Sequence, residues 1–164
     1  MDYGLIKQQL LDWMIHFVEK PNPKLGNWAP CPYARAARLN NKMLVLVSNI
    51  DMLEHTVTNS LSEFDKYDVI VICFDHTLIS AEDCGILASS LNDRLMPNNF
   101  ILLEDHPDNV EIIAEVQMNF GKSGLFIISQ LTDLNKASQS LLKSGYYKCW
   151  SLANLAEIVN WRNL

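Results

Sequence analysis

Two apolar segments of this chain end on the same dipeptide, an aspartate followed by a histidine. Residues 69–74 lead into Asp75-His76, and residues 100–104 lead into Asp105-His106. Imidazoles and carboxylates bind zinc, iron or manganese when three or four of them converge, and a histidine oriented by an aspartate can act as a general base. The pattern therefore predicts Asp105 and His106 as catalytic residues, and Asp75, His76 and His106 as metal ligands.

The two dipeptides can act together only if the fold brings the ends of both strands to one place. A segment with helical periodicity separates the strands, which predicts that they run parallel and bring their carboxyl ends to one edge of a sheet. Neighbouring residues of a strand point to opposite faces, so the chain must also turn directly after each strand, as Pro107 suggests. The alternatives are a pH-sensitive contact, or aspartates that satisfy loop N–H groups beside partly buried, hydrogen-bonded histidines.

Cys31 is the second candidate, because it precedes a predicted helix that begins with Pro32. A thiol at a helix N-terminus meets the positive end of the helix dipole, and Arg35 and Arg38 follow within two turns, so this setting favours a thiolate. Such a catalytic group could be a nucleophile, a redox-active thiol or a metal ligand. The alternative is a small buried residue held between Pro30 and Pro32.

Three further side chains are predicted to bind a substrate beside Cys31. Trp28 is close enough in the chain to line the site, and Arg35 or Lys122 would hold an anionic group by charge-assisted hydrogen bonds. Lys122 belongs to a Gly-Lys-Ser sequence, but this is not a phosphate loop, because Val116 stands where the motif requires glycine.

Hydrophobic periodicity and capping residues divide the chain into alternating helices and strands. The apolar spacing over residues 2–19 predicts an amphipathic helix that packs on the sheet, and a proline-containing loop over 20–31 follows it. Further helices are predicted over 32–39, 50–65, 80–95, 109–118, 132–144 and from 151 onward, and strands over 43–47, 69–74, 100–104, 125–129 and 146–150. Residues 109–118 also alternate like a strand. The order predicts one α/β domain over residues 1–164, with a mostly parallel or mixed sheet of four to five strands flanked by helices.

Composition narrows the choice of partners and compartment. The net charge of −6 and the lack of a basic run argue against a nucleic-acid partner. The four cysteines form no Cys-x-x-Cys pair, which is typical of free thiols in a reducing cytoplasm. No apolar run approaches the roughly 20 residues of a membrane span, and the first residues lack a secretory pattern. We therefore expect a soluble cytoplasmic protein with no membrane partner.

Two short motifs carry a resemblance to a known family. Residues 29–34, Ala-Pro-Cys-Pro-Tyr-Ala, and the later sequence His-Pro-Asp at 106–108 resemble the Asn-Leu-Cys-Pro-Phe-Ala and His-Pro-Asp motifs of the bacterial domain-of-unknown-function family 1415. The likeness in architecture extends over residues 25–145. It implies no activity, and it implies a site formed by Cys31, Pro32, Tyr33, His106, Pro107 and Asp108, which adds Tyr33 to the predicted substrate-binding residues. Asn109 and Val110 replace aromatic residues of the family, so contacts through those positions would not carry over.

The sequence leaves two hypotheses for function. The first is a small enzyme or a protein that binds a small-molecule ligand, with its site at the carboxyl edge of the sheet and a dependence on the thiol or on a divalent zinc, iron or manganese ion. The second is a non-catalytic interaction domain, which forms a homo-oligomer or docks a partner through its N-terminal helix. The clustered Asp-His pairs favour the first.

Overall fold

The structure, a computed structural model, describes residues 2–163. These residues form a single α/β domain, as predicted, with six α-helices, a mixed four-stranded sheet and a separate two-stranded hairpin. Residues 1 and 164 belong to the predicted domain but lie outside the described range.

The strands of the main sheet run in two directions. Within the described chain the strands are β1 (Met43–Val47), β2 (Val69–Phe74), β3 (Phe100–Asp105), β4 (Ile112–Ile113), β5 (Val116–Gln117) and β6 (Gly124–Gln130). The main sheet has the order β1-β2-β6-β3, in which β1 and β2 are parallel and β6 is antiparallel to both of its neighbours. β2 and β3 therefore run in the same direction on either side of β6. Their carboxyl ends reach one edge, as predicted, although the two strands do not pair with each other.

Helices cover both faces of this sheet. They are α1 (Tyr3–Trp13), α2 (Ala34–Leu39), α3 (Leu53–Ser60), α4 (Ala81–Leu95), α5 (Leu131–Ser144) and α6 (Leu152–Ile158). A π-helical turn, Met14–Val18, extends α1 to nearly the predicted length. The side chains of Asp2, Ser80 and Ser151 cap α1, α4 and α6 by accepting backbone N–H bonds. Gly145 ends α5 in the left-handed conformation that glycine favours.

The core has one layer on each face of the sheet. On the first face, α1 buries Ile6 and Leu10 against Val71 and Leu125, which confirms that the N-terminal helix packs on the sheet of its own domain. On the second face, α3 and α4 pack on β2, β3 and β6 through a cluster of Leu53, Val57, Ile70, Ile72, Phe74, Ala88, Leu91, Leu102, Phe126 and Ile128. Each layer buries apolar surface that would otherwise be exposed to water.

Gly124 begins β6 opposite Phe74, where the packing leaves no room for a side chain. A Cβ at this position would overlap the Phe74 ring. Glycine is therefore required for the close approach of β6 to β2 at the carboxyl end of β2.

Residues 109–118 include a hairpin, so the helix predicted there is wrong. β4 and β5 pair Ile113 with Val116, and they are joined by Ala114 and Glu115, which have φ values of 48° and 64°. In a hairpin with a two-residue turn, residues three apart lie opposite each other on one face, and residues three apart also share one face of a helix. The buried pair Ile113 and Val116 therefore fits both patterns.

Three other local predictions are also wrong. Tyr146–Cys149 is a 3-10 helix rather than an edge strand, because Tyr146 and Tyr147 both turn their rings against Trp150, whereas a strand would separate them. The helix after residue 31 begins at Ala34 rather than at Pro32, so Cys31 is not its N-cap. Thr132 does not cap α5, which begins one residue earlier; the Thr132 N–H donates to the Asn99 side chain instead.

Candidate functional site

Asp75 is engaged by the turn that directly follows β2. Its Oδ1 accepts hydrogen bonds from the N–H of Thr77 at 3.0 Å and from the hydroxyl of Thr77 at 2.7 Å. These two bonds cap a short 3-10 turn, His76–Leu78, and they hold the pKa of Asp75 below its usual range. The carboxylate of Asp75 therefore stabilises its own turn.

His106 is buried, with 1% of its surface exposed, and both of its ring nitrogens have backbone partners. Nε2 lies 3.1 Å from the carbonyl oxygen of Ile79 and 3.3 Å from that of His76, while Nδ1 accepts the N–H of Asp108 at 3.2 Å. Two acceptors at Nε2 and a donor at Nδ1 assign the proton to Nε2. His106 thus joins the end of β3 to the turn after β2.

The two predicted Asp-His pairs do meet, through their histidines. The rings of His76 and His106 lie edge to face, with centroids 5.7 Å apart and an interplanar angle of 80°. His76 Nδ1 is buried and has no hydrogen-bond partner among the described residues. The convergence predicted from strand direction is therefore real, but the described residues contain no group of three His, Cys, Asp or Glu side chains arranged to hold a metal ion.

Asp105 holds the chain segment that returns toward β6. Its Oδ1 accepts from the Asn119 side chain at 2.7 Å, and its Oδ2 accepts from the Phe120 N–H at 2.8 Å. Burial raises the pKa of Asp105 above its usual range, against the opposite effect of these two bonds. Both oxygens of this carboxylate are thus occupied within the fold.

Asn119 is a residue that no motif in the sequence points to. Its Nδ2 donates to Asp105 and to the carbonyls of His106 and Asn109, and its Oδ1 accepts the N–H of Glu111 at 2.8 Å. One side chain therefore fixes the whole connection between β3 and β4. A motif search cannot find such a residue, because three of its four partners are backbone groups.

Glu111 is a second residue that the sequence analysis missed. Although its surface is exposed, desolvation by the surrounding protein raises its pKa to about 7, with further contributions from the charges of Asp105, Glu157 and Glu104. These carboxylates come from β3 and α6, elements that are remote in sequence. A carboxyl group that titrates near neutral pH marks this corner as sensitive to pH.

Cys31 lies in a different environment from the one its sequence predicts. The residue is exposed, yet desolvation by the surrounding protein raises the pKa of its thiol, and the nearby charge of Glu19 adds to that shift. Backbone N–H groups of Tyr33 and Ala34 oppose the shift without overcoming it. Arg38, expected to favour the thiolate, instead forms a two-pronged ion pair with Glu19 at 2.7 and 2.8 Å. The prediction of a lowered thiol pKa is therefore wrong.

Within residues 2–163, no hydrogen bond, ion pair or ring contact joins the predicted substrate-binding residues to one another. Trp28 packs edge to face on Tyr146, with ring centroids 5.8 Å apart, and the Tyr33 hydroxyl donates to the carbonyl of Ala137 at 3.5 Å. Arg35 and Lys122 are exposed. Among the described residues, no hydrogen bond or ring contact joins Cys31 to His76 or to His106, the pair on which the first hypothesis depends.

A different surface of the fold is open to a partner, at the outer side of β1. The Lys42 carbonyl and the Ser48 N–H both bond toward β2. Because successive residues of a strand direct their N–H and C=O groups to alternate sides, those of Met43, Val45 and Val47 point away from β2. These outer groups have no partner within residues 2–163.

A groove runs along each side of β1. The groove beside α3 has a volume of about 450 Å³ and is lined by Leu44, Leu46, His55, Thr56, Asn59, Ser60 and Glu63. The groove beside α1 has a volume of about 500 Å³ and is lined by Lys7, Leu11, Ile15, Arg38, Asn41, Met43, Val45 and Tyr67. The side chains of β1 therefore alternate between the floors of the two grooves.

At the opposite edge of the sheet, a side chain occupies the outer groups in the middle of β3. Asn92 of α4 is 7% exposed, donates to the Leu102 carbonyl and accepts the Leu102 N–H, both at 2.8 Å. Its amide thus takes the place of a neighbouring strand at Leu102, while the outer groups of Phe100 and Glu104 have no partner within residues 2–163. Folded proteins usually cover or charge an open edge because it invites pairing with other chains. β1 carries no charged residue, because its five residues are all apolar. The lysine before it, Lys42, donates to the carbonyl of Lys66.

Comparison with known proteins assigns neither a family nor a function. No family model, no curated protein and no solved structure matches the chain. The resemblance to family 1415 stays a prediction. Within residues 2–163, no helix has both the length and the apolar character needed to cross a bilayer.

Proposed function

We propose that this protein is a non-catalytic interaction domain that binds an extended polypeptide segment by strand addition to β1. The observation that carries the proposal is the open backbone of Met43, Val45 and Val47 between two grooves. An added strand would bond to these groups and place its alternate side chains in the grooves. The main-chain bonds would supply affinity, and the grooves would supply selectivity.

The side chains at the carboxyl ends of β2 and β3 favour an interaction domain over an enzyme. A general base or a metal ligand needs a lone pair that faces its substrate or ion. Both nitrogens of His106 and both oxygens of Asp105 already have partners within the domain, and Oδ1 of Asp75 is engaged by Thr77, which leaves His76 Nδ1 as the ring nitrogen of this group with no partner among the described residues. The raised pKa of Cys31 also reduces its fraction of thiolate at neutral pH.

The N-terminal helix does not offer the docking surface that the second hypothesis expected. Its residues Ile6, Leu10 and Met14 are buried against the sheet, so its apolar face is already occupied. Removal of this helix would expose the sheet rather than free a partner. We therefore assign the recognition surface of this domain to β1 rather than to the N-terminal helix.

A synthetic peptide with the sequence of residues 41–49 is a direct probe, because it is an apolar strand of the required length. We expect the fluorescently labelled peptide to bind the full chain saturably in anisotropy measurements. Methylating alternate amide nitrogens of the peptide gives two matched forms, one methylated at positions 43, 45 and 47 and the other at 44 and 46. Strand addition uses only one of these sets, so one form should lose binding and the other should retain it.

Equal binding of the two methylated peptides would refute strand addition, because their main-chain donors differ while their side chains are the same. Absence of binding by the unmodified peptide would also refute it. A second check uses Val45→Pro protein, which lacks the central outer N–H and should bind the unmodified peptide more weakly.

A further inference from the structure

We infer that the strand that pairs with β1 is β1 of a second copy of this chain, in an antiparallel arrangement about a two-fold axis at Val45. The two four-stranded sheets would then become one continuous sheet. This inference rests on the proposed function, because it names the partner of the same surface. Three features of the chain support a second copy: the register, the ends of the grooves and the occupied middle of β3.

The register about Val45 is self-complementary. Antiparallel pairing through the outer groups of β1 sets Val45 against Val45 and Met43 against Val47 of the second copy, each as a hydrogen-bonded pair. The remaining pair joins Leu44 to Leu46. Every cross-strand pair is apolar, and two of the three kinds contain a β-branched valine, which packs well in a pleated sheet.

The groove beside α3 has complementary groups at its two ends. Ser48 Oγ lies 2.8 Å from Thr56 Oγ1, which places the neighbouring His55 at the carboxyl end of β1. Glu63 lies at the amino end, because its carbonyl accepts the N–H of Tyr67 next to the start of β2. A two-fold axis brings opposite ends together, so His55 of each copy faces Glu63 of the other, whose carboxylate also lies 3.6 Å from Lys66 of its own copy.

The groove beside α1 has a similar complementarity. The Tyr3 hydroxyl donates to Asn49 Oδ1 at 3.3 Å, which places the first turns of α1, with Lys7, at the carboxyl end of β1. Tyr67 lies at the amino end of the same groove, and the axis sets Lys7 of each copy over the Tyr67 ring of the other. Arg38, which lines this groove as well, is already neutralised by a carboxylate whose side chain is only 4% exposed.

Pairing about a two-fold axis limits the assembly to two copies. On β3, Asn92 occupies the outer groups of Leu102, which blocks the middle of that strand against pairing. Pairing of β1 with β1 uses the same surface in both copies and leaves no open β1 edge. The expected assembly is therefore a dimer and not a filament.

Sedimentation equilibrium of the full chain over a range of concentrations tests this inference. We expect a monomer–dimer equilibrium with no larger species. The Val45 N–H points away from β2, so Val45→Pro removes an intermolecular donor and no bond between β1 and β2. Two such donors are lost per dimer, which should raise the dimer Kd about ten- to a hundred-fold. Val110→Pro, at an exposed valine before β4, is the matched control and should leave Kd unchanged.

Glu63→Lys is a second variant that does not alter the backbone. It places a lysine against His55 of the other copy, so it should raise the Kd several-fold even if Val45→Pro fails to fold by circular dichroism. A dimer that neither variant weakens would overturn the inference. A chain that stays monomeric at every concentration but binds the peptide of residues 41–49 would overturn the second copy alone. A monomeric chain that does not bind the peptide would overturn the proposed function as well.

Discussion

At the scale of single residues, the buried ring of His106 hydrogen-bonds to backbone groups of two different segments. Its ring satisfies carbonyls of the turn after β2 and an N–H of the loop after β3. A buried donor or acceptor left without a partner costs roughly 1–3 kcal/mol, so loss of this ring affects several groups at once. His106 therefore fastens two segments of the fold to each other.

We expect His106→Ala to lower the free energy of unfolding by about 2–4 kcal/mol, measured by urea denaturation at pH 7. The exposed His16 provides the matched control, and His16→Ala should change the free energy by less than about 0.5 kcal/mol. A catalytic His106 with no structural role would give the opposite pattern, an unchanged stability.

Glu111 makes the stability of the fold depend on pH. Its pKa is about 7 in the folded chain and 4.5 ordinarily, so the folded state favours the protonated form. The associated stability is fully present below about pH 4.5 and is lost as the pH rises through about 7. We expect Glu111→Gln to remove this loss, and the gain should be on the order of 1 kcal/mol because the residue is exposed and partly screened.

Thermal unfolding of both proteins at pH 5 and pH 8 measures this effect. The melting temperature of Glu111→Gln should exceed that of the unmodified chain by more at pH 8 than at pH 5. Glu115→Gln, on the exposed turn of the same hairpin, should show the same difference at both values. An equal difference for Glu111→Gln at the two pH values would contradict the raised pKa.

The sequence identifies some of the residues at this corner but not what they bind. The Asp-His pairs were predictable as neighbours, because the strand pattern gives the direction of β2 and β3. Their hydrogen-bond partners were not, because Ile79, Asn119 and Phe120 come from segments without a motif. The thiolate predicted for Cys31 fails because desolvation by the surrounding protein raises the pKa of the thiol, and Arg38 is paired with Glu19 across 19 positions of the chain.

At the scale of elements, the two edge strands differ in their protection. The amide of Asn92 bonds to both outer groups of Leu102 on β3, whereas the outer groups of Met43, Val45 and Val47 on β1 have no partner within the described chain. An open, apolar strand is a site of pairing or of aggregation. This difference assigns the interaction to β1.

Replacing Asn92 by alanine should weaken the protected edge. We expect Asn92→Ala to lower the free energy of unfolding by about 2–4 kcal/mol, because it leaves the N–H and carbonyl of Leu102 unpaired in a buried position. Urea denaturation measures the change. Asn98→Ala at an exposed position on the same side of the sheet is the control, with a smaller loss. A negligible effect of Asn92→Ala would mean that water satisfies this edge.

Periodicity predicted most elements, and it failed where two structures share a spacing. The four long strands follow from short apolar runs between turn residues, and the long helices follow from apolar residues spaced three and four apart. Residues three apart, such as Ile113 and Val116, share one face both in a helix and in a hairpin with a two-residue turn. The turn residues Ala114 and Glu115 have positive φ values, but neither is a glycine or an asparagine, the residues that usually indicate such a turn. The insertion of β6 between β2 and β3 depends on contacts across the sheet, which periodicity does not contain.

At the scale of the whole molecule, the domain is a sheet with two covered faces, an edge on β3 whose middle is occupied by a side chain, and an open edge on β1. α1 covers one face and α3 with α4 covers the other, while Met43, Val45 and Val47 direct their backbone groups outward from β1. One groove lies between β1 and α3, and the other lies between β1 and α1. The surface available for recognition is therefore a line of backbone groups rather than a pocket.

Amide hydrogen exchange along β1, followed by NMR, tests this account most directly. In the dilute chain, the amides of Leu44 and Leu46 should exchange slowly, since they bond to β2, and those of Met43, Val45 and Val47 should exchange fast. Raising the protein concentration or adding the peptide of residues 41–49 should slow the three outer amides and leave the inner two unchanged. Outer amides that are already protected in the dilute chain, or that stay fast with either partner in excess, would contradict recognition through the β1 edge.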